Sequence, residues 1–199
     1  MLETVNPHPE SRGIKITAGT IVDATIIHAP SSTKNREQKC DPEMHQTRKR
    51  KQWNCGMNAH VGVDSKMKII HSVVVAAANI ADSAALPDLL RGDETKVWGD
   101  QAYRAQGEAI HEVAPPAQDL TNKRYRDKNR VDEVEREKNR TKSQTRSRVE
   151  HVFAVLKLKF GYTKVRYREI RKNANQAFTL CALSNLFLLC QRLLYTQMA

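Results

Sequence analysis

Three apolar runs rich in β-branched residues lie in the first 80 residues, and helical patterns dominate the rest of the chain. Residues 20–30 predict a buried strand, and residues 58–64 and 68–78 predict two strands joined by a tight turn at residues 64–67. A fourth, short strand is expected over residues 96–100. This order of elements favours an α/β fold in which a mixed sheet is flanked by helices.

The segments between and after these strands predict helices and one loop. Asp82 is predicted to be the N-cap of the first helix, and Gly161 is predicted to end the fourth. The polar stretch over residues 31–52 predicts a loop. The third helical segment is charged throughout and indicates either a solvated helix or a loose arm. The predicted helices cover residues 82–92, 105–113, 125–140, 143–160 and 173–197.

Neither a membrane protein nor a disulfide-stapled protein is indicated. No run of eighteen or more uninterrupted apolar residues occurs, and the first twenty residues lack the apolar core of a secretory signal. The cysteines Cys40, Cys55, Cys181 and Cys190 show no C-x-x-C spacing, which disfavours a zinc site and a disulfide framework. Cys181 and Cys190 lie in an apolar helical stretch and are predicted to be small core residues.

The positive charge of the chain is concentrated in one segment. Residues 121–172 hold 18 Lys and Arg against 7 Asp and Glu, so they carry the whole net charge of +11. The rest of the chain holds 15 of each sign. A localised basic zone favours a polyanionic partner such as nucleic acid. A solvated, charge-laced helix or a disordered tail is the alternative interpretation.

Two carboxylates lie on or just after predicted strands. Asp23 lies in the middle of an apolar strand, where an ionised carboxylate is costly unless it is paired, hydrogen-bonded or bound to a metal. Asp100 ends another strand, and strand ends are common positions for functional sites. Asp23 could instead face water on an edge strand, and Asp100 could cap the helix that comes after it.

A third carboxylate, Glu150, shares a helix face with two cations. Arg146, Glu150 and Lys157 fall within roughly 40° of one another on a helical wheel, beside the apolar stripe. A row of cations beside a carboxylate suits phosphate beside a metal. The alternative is an Arg-Glu pair at i,i+4 worth about 0.2–0.5 kcal/mol.

The chain resembles the DDE transposases of the bacterial insertion-sequence families four and five. The family signature is Tyr, two residues, Arg, three residues, Glu, six residues, Lys. Arg146, Glu150 and Lys157 stand at that spacing, with Ser143 where the Tyr would stand. The other matching segments are GTIVDATIIHAPSSTKN, DPEMHQT, HVGVD, HSVVVAAAN, LPDLL, VWGDQAY, RSRVEH and FGYTKVRYR.

The resemblance implies a ribonuclease H-like fold and a catalytic, metal-binding triad of Asp23, Asp100 and Glu150. It implies two-metal phosphoryl transfer with Mg²⁺ or Mn²⁺, in which a water nicks the transposon end and the freed 3′-hydroxyl attacks target DNA. Arg146 and Lys157 would bind DNA by positioning phosphate. The expected partners are transposon-end and target DNA, with a homo-oligomer or a full-length transposase, in the cytoplasm at the nucleoid and with no membrane.

Family members carry a helical region before the first catalytic strand. Residues 1–15 are therefore expected to be a remnant of that N-terminal region, and residues 16–199 to be the catalytic domain. Two functions stay open. The chain is either an active nuclease and strand transferase, or a truncated and catalytically weak remnant that binds DNA and interferes with a full-length transposase.

Overall fold

A computed structural model describes residues 17–29, 41–49, 52–127 and 130–197 of the chain. The expected remnant over residues 1–15 lies outside the described residues. So do residues 31–40 and 50–51 of the predicted loop.

The main sheet is mixed, as the sequence predicts. Its central strand, β1, pairs antiparallel with β3 and parallel with β5. β3 also pairs antiparallel with β2 and β4, and β5 pairs parallel with β6. The strands are β1 (Gly19–His28), β2 (His45–Lys49), β3 (Gln52–Asp64), β4 (Ile70–Ala77), β5 (Lys96–Trp98) and β6 (Gln118–Asp119).

Two features of this sheet differ from the sequence prediction. β2 lies within the predicted loop, where its polar residues form a hairpin with the first part of β3. β6 was not predicted, because two residues carry no detectable strand pattern. The tight turn after β3 is confirmed. The Asp64 carboxylate accepts hydrogen bonds from the backbone N–H groups of Lys66 and Met67 and so closes the turn.

The helices cover both faces of the sheet. A 3-10 turn at Asp82–Ala85 leads into α1, and Ala81, not Asp82, is the N-cap residue. The prediction for Asp82 is therefore wrong; its carboxylate lies in the first turn, 3.6 Å from Nδ1 of His60. The helices are α1 (Leu86–Leu89), α2 (Gly107–Val113), α3 (Glu133–Arg146), α4 (Arg148–Ala154) and α5 (Ile170–Gln197).

The third and fourth predicted helical segments are divided differently in the structure. The charged segment contains a small hairpin of β7 (Arg126–Asp127) and β8 (Arg130–Val131), and α3 then begins after its N-cap Asp132. The predicted helix over residues 143–160 is not continuous. α3 ends at Arg146, α4 starts after Ser147, and a π turn comes next at Val155–Lys159.

Alternation along β1 sends neighbouring side chains into two apolar layers. Ile21 packs on one face with residues of β3, α4 and α5, including Val152, Phe153 and Cys181. Val22 packs on the other face against α1, α2 and Tyr103. Cys181 is buried as predicted, but Cys190 is exposed, because it lies on the side of α5 that faces away from the sheet.

The C-terminal helix combines a sheet-packed face with an apolar outer face. By length and composition, Ile170–Leu194 could cross a membrane, and it is the one such helix among the described residues. The Asn185 side chain accepts from the backbone N–H of Ile70 and donates to its carbonyl, which fixes α5 on β4. The expectation that the chain has no membrane partner stays a prediction.

Candidate active site

Asp23 lies in the central strand of the sheet and is 9% exposed. It stands two residues after Ile21 and therefore points to the same face, where α4 packs. Its Oδ1 atom accepts a hydrogen bond of 2.8 Å from the backbone N–H of Ala24. Asp23 is thus a buried carboxylate on a central strand, and the edge-strand alternative is wrong.

Asp100 reaches the same region from the neighbouring parallel strand. Ile21 of β1 pairs with Trp98 of β5, and Asp23 and Asp100 each stand two residues further along. Parallel neighbours are about 4.8 Å apart, so Asp23 and Asp100 stand at corresponding positions along neighbouring segments, although β5 itself ends at Trp98. Asp100 also caps the 3-10 turn Gln101–Tyr103, since its Oδ1 accepts from Ala102 N at 2.8 Å. The capping interpretation of Asp100 is therefore confirmed, whereas the predicted strand over residues 96–100 ends two residues earlier, at Trp98.

Arg146 connects the helical part of the site to the strand. Its Nη1 atom lies 2.6 Å from Oδ2 of Asp23 and 3.9 Å from Oε1 of Glu150. Arg146 and Glu150 belong to different helices, but their i,i+4 pair persists across the break at Ser147. The Glu150 side chain itself is 60% exposed.

The pKa of Asp23 is shifted by its burial and by the charges around it. The pKa of Asp23 is raised to about 6, mainly because burial disfavours the charged form, and the negative charges of Asp100 and Glu150 act in the same direction. The Ala24 N–H and the Arg146 guanidinium oppose this by lowering the pKa. The charges of Asp100 and Glu150 are the smaller causes of this shift, and burial is the largest.

The donor chemistry of this group fits a hard divalent cation, since carboxylate oxygens are the ligands that Mg²⁺ and Mn²⁺ prefer. The negative charges of Asp100 and Glu150 raise the pKa of Asp23, and a bound cation would offset this effect. No group of three His, Cys, Asp or Glu side chains among the described residues stands ready to hold a metal ion. Asp100 is turned to cap Ala102 and Glu150 points into solvent, so both side chains would have to rotate toward Asp23.

Lys157 lies in the π turn that comes after α4. A π turn closes over five residues instead of four, as the hydrogen bond from Phe160 N to the Val155 carbonyl at 3.3 Å shows. The continuous α-helix from which its alignment with Arg146 and Glu150 was predicted is therefore interrupted between Glu150 and Lys157. The sequence spacing persists, but the register between Glu150 and Lys157 changes.

A segment next to Asp100 was missed at the level of sequence. Asn139 of α3 is 7% exposed; its Nδ2 donates to the Lys123 carbonyl at 2.7 Å, and its Oδ1 accepts from Lys123 N at 3.1 Å. The Asn122 N–H donates to the Gly99 carbonyl at 3.0 Å. An asparagine within a charged helix resembles a solvated residue in sequence, so only the tertiary structure reveals this contact.

The chain belongs to the family of transposase DDE domains. The model of that family matches residues 15–186, which include Asp23, Asp100 and Glu150.

One solved structure similar to this chain is a cryo-EM structure of the piggyBac transposase synaptic complex with hairpin DNA. The TM-score is 0.56 at 9% sequence identity, which shows a shared fold. The match covers 92% of this chain and 49% of that one, so the chain spans about half the length of this structural relative.

Proposed function

We propose that this chain is the catalytic domain of a DDE transposase that cleaves DNA and joins strands in the transposition of an insertion sequence. The single observation that carries the proposal is the contact of the Arg146 guanidinium with both Asp23 and Glu150, within a chain of the transposase DDE family. The segments quoted above favour the insertion-sequence families four and five within that family.

The topology of the sheet supports a ribonuclease H-like fold. β1, β3 and β4 form an antiparallel unit, and β5 and β6 continue the sheet parallel to β1. Asp23 on β1 and Asp100 after β5 lie where the antiparallel and parallel halves of the sheet meet. α4 carries Glu150 across the same face.

Asp23, Asp100 and Glu150 would hold one or two Mg²⁺ or Mn²⁺ ions. Bound ions of this kind supply activation of a water or a 3′-hydroxyl and charge stabilisation at the leaving oxygen. Asp23 contributes a fixed carboxylate from a rigid strand, whereas Asp100 and Glu150 contribute carboxylates that rotate into place. Asp23 would therefore be the carboxylate whose position fixes that of the bound metal.

Arg146 neutralises Asp23 while no metal ion is bound. Once metal is bound, Arg146 would contact a phosphate group of the DNA. Its Nη1 donates to Asp23, whereas its Nε is buried without a hydrogen-bond partner among the described residues. An unpaired donor beside the carboxylates is suited to a phosphate oxygen of the scissile strand. Lys157, half-buried in the π turn, is proposed as a second phosphate-positioning cation.

DNA is the proposed partner, as transposon ends and as target, and the cytoplasm at the nucleoid is the proposed location. The basic excess over residues 121–172 supports this partner, because α3, which lies in that zone, ends at the candidate site. Assembly with a second copy or with a full-length transposase is part of the proposal. No membrane partner is proposed.

An inactive DNA-binding remnant is the second candidate function. The present environments of the three carboxylates favour it. Asp23 is paired with Arg146, Asp100 caps the turn at Ala102, and the Glu150 side chain is mostly exposed to solvent. On this alternative the domain would bind DNA and interfere with a full-length transposase. The two candidates differ in whether metal produces cleavage.

A plasmid-nicking assay separates the candidates. Supercoiled DNA is incubated with the protein and Mg²⁺ or Mn²⁺, with EDTA as the blank. The active-domain proposal predicts nicking that is lost in Asp23→Asn, Asp100→Asn and Glu150→Gln. The matched controls Asp88→Asn and Glu112→Gln change exposed carboxylates elsewhere and should nick normally. DNA binding without metal-dependent nicking would support the remnant instead.

A further inference from the structure

A polar cleft opens directly beside Asp100. One cavity of about 270 Å³ is bounded by the 3-10 turn after Asp100, by the segment that precedes β7 and by α3. A second cavity of about 600 Å³ lies on the other side of Gln101, next to Arg104 and Arg124. Gln101 and Tyr125 are among the residues that line the first cavity, and Gln101 also lines the second. The two cavities therefore adjoin at Gln101, one residue beyond a proposed catalytic carboxylate, and together they are called the cleft.

The wall of this cleft is fixed by buried polar contacts. Asn139 clamps the backbone of Lys123 with two hydrogen bonds, and Lys142 Nζ donates to the Thr121 carbonyl at 3.1 Å. Asn122 is held at both ends, by Gly99 through its backbone and by Ser143 through its side chain. The segment that carries Lys123 and Tyr125 is thus prearranged relative to Asp100, as a binding surface requires.

The cleft is lined by cations that phosphate could engage. Arg104 and Lys123 have no ion-pair partner among the described residues. Arg136 pairs with Glu133 at 3.1 Å on the exposed surface of α3, and exposed pairs of this kind are worth only about 0–1 kcal/mol. Phosphate oxygens could replace Glu133 at small cost. Arg124 and Arg140 are the remaining cations of the lining.

One further side chain suits a nucleobase. Tyr125 is 40% exposed and lines the cleft, so an aromatic side chain is available there for stacking. A cleft for phosphates alone would not need an exposed aromatic side chain.

We infer that this cleft binds a few nucleotides of unpaired DNA strand adjoining the scissile phosphate, with phosphates on Arg104 and Lys123 and a base on Tyr125. The inference rests on the proposed function for the position of the scissile phosphate. Cation-lined grooves with an aromatic platform are the general form of single-strand sites. A duplex cannot present a base face to Tyr125 unless it opens, so the cleft selects for unpaired strand.

Fluorescence anisotropy in EDTA tests the inference, with the full chain, a labelled single strand of about 10 nucleotides and the same sequence as a duplex. Tyr125→Ala should weaken single-strand binding about 5- to 100-fold and leave duplex binding within about twofold. Tyr125→Phe keeps the ring and should bind like the wild type. The Tyr125 backbone carbonyl, which accepts from Asp132 N at 2.8 Å, is retained in both variants.

The cations are tested with a double variant and a matched control. Arg104→Gln with Lys123→Gln should weaken single-strand binding more than Lys66→Gln with Lys96→Gln. The control pair removes the same charge near the start of β1, at the end of the strands opposite to Asp23 and Asp100. Equal losses in both pairs would mean that only overall charge matters and would overturn the inference.

The outcomes separate this inference from the proposed function. Triad-dependent nicking with no selective effect of Tyr125→Ala would overturn the cleft alone. A selective loss of single-strand binding in a protein that never nicks DNA would overturn the catalytic proposal and leave the cleft supported. Equal weakening of single-strand and duplex binding by Tyr125→Ala would identify the cleft as a general DNA contact and also overturn the inference.

Discussion

The Nη1 atom of Arg146 lies 2.6 Å from Oδ2 of Asp23, so the end of α3 is tied to a strand residue 123 positions earlier in the chain. Arg146 also lies 3.9 Å from Glu150, so one guanidinium contacts two of the three proposed catalytic carboxylates. It accounts for the burial of Asp23, because an unpaired buried carboxylate is strongly disfavoured. Arg146 is therefore expected to contribute both to stability and to metal binding.

Removal of the Arg146 charge should destabilise the protein. Arg146→Gln leaves Asp23 buried with only the Ala24 N–H as a partner, so the free energy of unfolding should fall by about 1–3 kcal/mol, between exposed and buried pairs. Urea denaturation in EDTA measures the change. Arg140→Gln removes an exposed partner of Glu137 on α3 and serves as the control. Equal small effects of both changes would show that the Arg146–Asp23 pair contributes nothing.

The raised pKa of Asp23 should make stability fall with rising pH. The folded state holds this proton up to about pH 6, whereas a free Asp loses it near 3.8. Between these values the unfolded state has released the proton and the folded state has not, so deprotonation costs stability as the pH rises. Asp23→Asn lacks this titration. The unfolding free energy of the variant minus that of the wild type should therefore increase from about pH 4 to about pH 6.5.

The matching measurement is a set of urea curves at half-unit pH steps, with Asp88→Asn as the control at an exposed position. A difference between Asp23→Asn and wild type that stays constant with pH would contradict the raised pKa. A difference that decreases would mean that Arg146 lowers the pKa of Asp23 more than burial raises it.

Much of the fold follows from local sequence patterns. β1 and the β3–β4 hairpin could be predicted from sequence, because their apolar runs and the turn residue Asp64 are local patterns. β2 was not predicted, because its residues are polar and form a strand by pairing with β3. The break at Ser147 and the π turn were not predicted, because the apolar residues Val149, Val152 and Phe153 fit the pattern of one continuous helix.

The assignment of Asp23, Asp100 and Glu150 to one site stays a prediction. Asp23 and Asp100 were selected from their positions on or just after strands, and β1 and β5 are neighbours in the sheet. The Arg146–Asp23 pair depends on how α3 crosses the sheet, which no local pattern encodes. The Asn139 clamp on Lys123 escaped for the same reason.

Substitution of Glu150 should reduce activity without reducing stability. Its side chain is 60% exposed, so Glu150→Gln should change the free energy of unfolding by less than about 0.5 kcal/mol. Metal-dependent nicking should fall by more than about 100-fold, since outer partners of a metal site alone typically account for about 10- to 100-fold. Paired urea and nicking measurements on one preparation check this. A variant that nicks at the wild-type rate would exclude Glu150 from the triad.

The Asn139 clamp should be structural and necessary for the cleft. Asn139→Ala leaves the backbone N–H and carbonyl of Lys123 without their partner, and the loss of each partner costs about 1–3 kcal/mol where the group stays buried. Thermal or urea unfolding should show a loss of that order, whereas Lys138→Ala, exposed on the same helix, should show almost none. If Asn139→Ala were as stable as Lys138→Ala, the clamp would not fix the segment.

DNA binding should be steeply salt-dependent and indifferent to sequence. Removal of one phosphate-binding cation should reduce the slope of log K against log salt by about 1. Lys159→Glu with Lys164→Glu, both exposed in the basic zone, should weaken binding to unrelated duplexes alike. Lys66→Glu with Lys96→Glu lies outside that zone and is the control. Binding that is unchanged between low and moderate salt would contradict an electrostatic interface.

The most direct test of the account is the position of bound metal in crystals of the protein grown with Mn²⁺, located by anomalous scattering. The account predicts one or two peaks within ligand distance of Asp23, with Asp100 turned away from Ala102 and Glu150 turned in from solvent. Arg146 should then have left Asp23. Peaks elsewhere, or three carboxylates that keep their present partners in saturating Mn²⁺, would contradict the proposal of a single metal site at the triad.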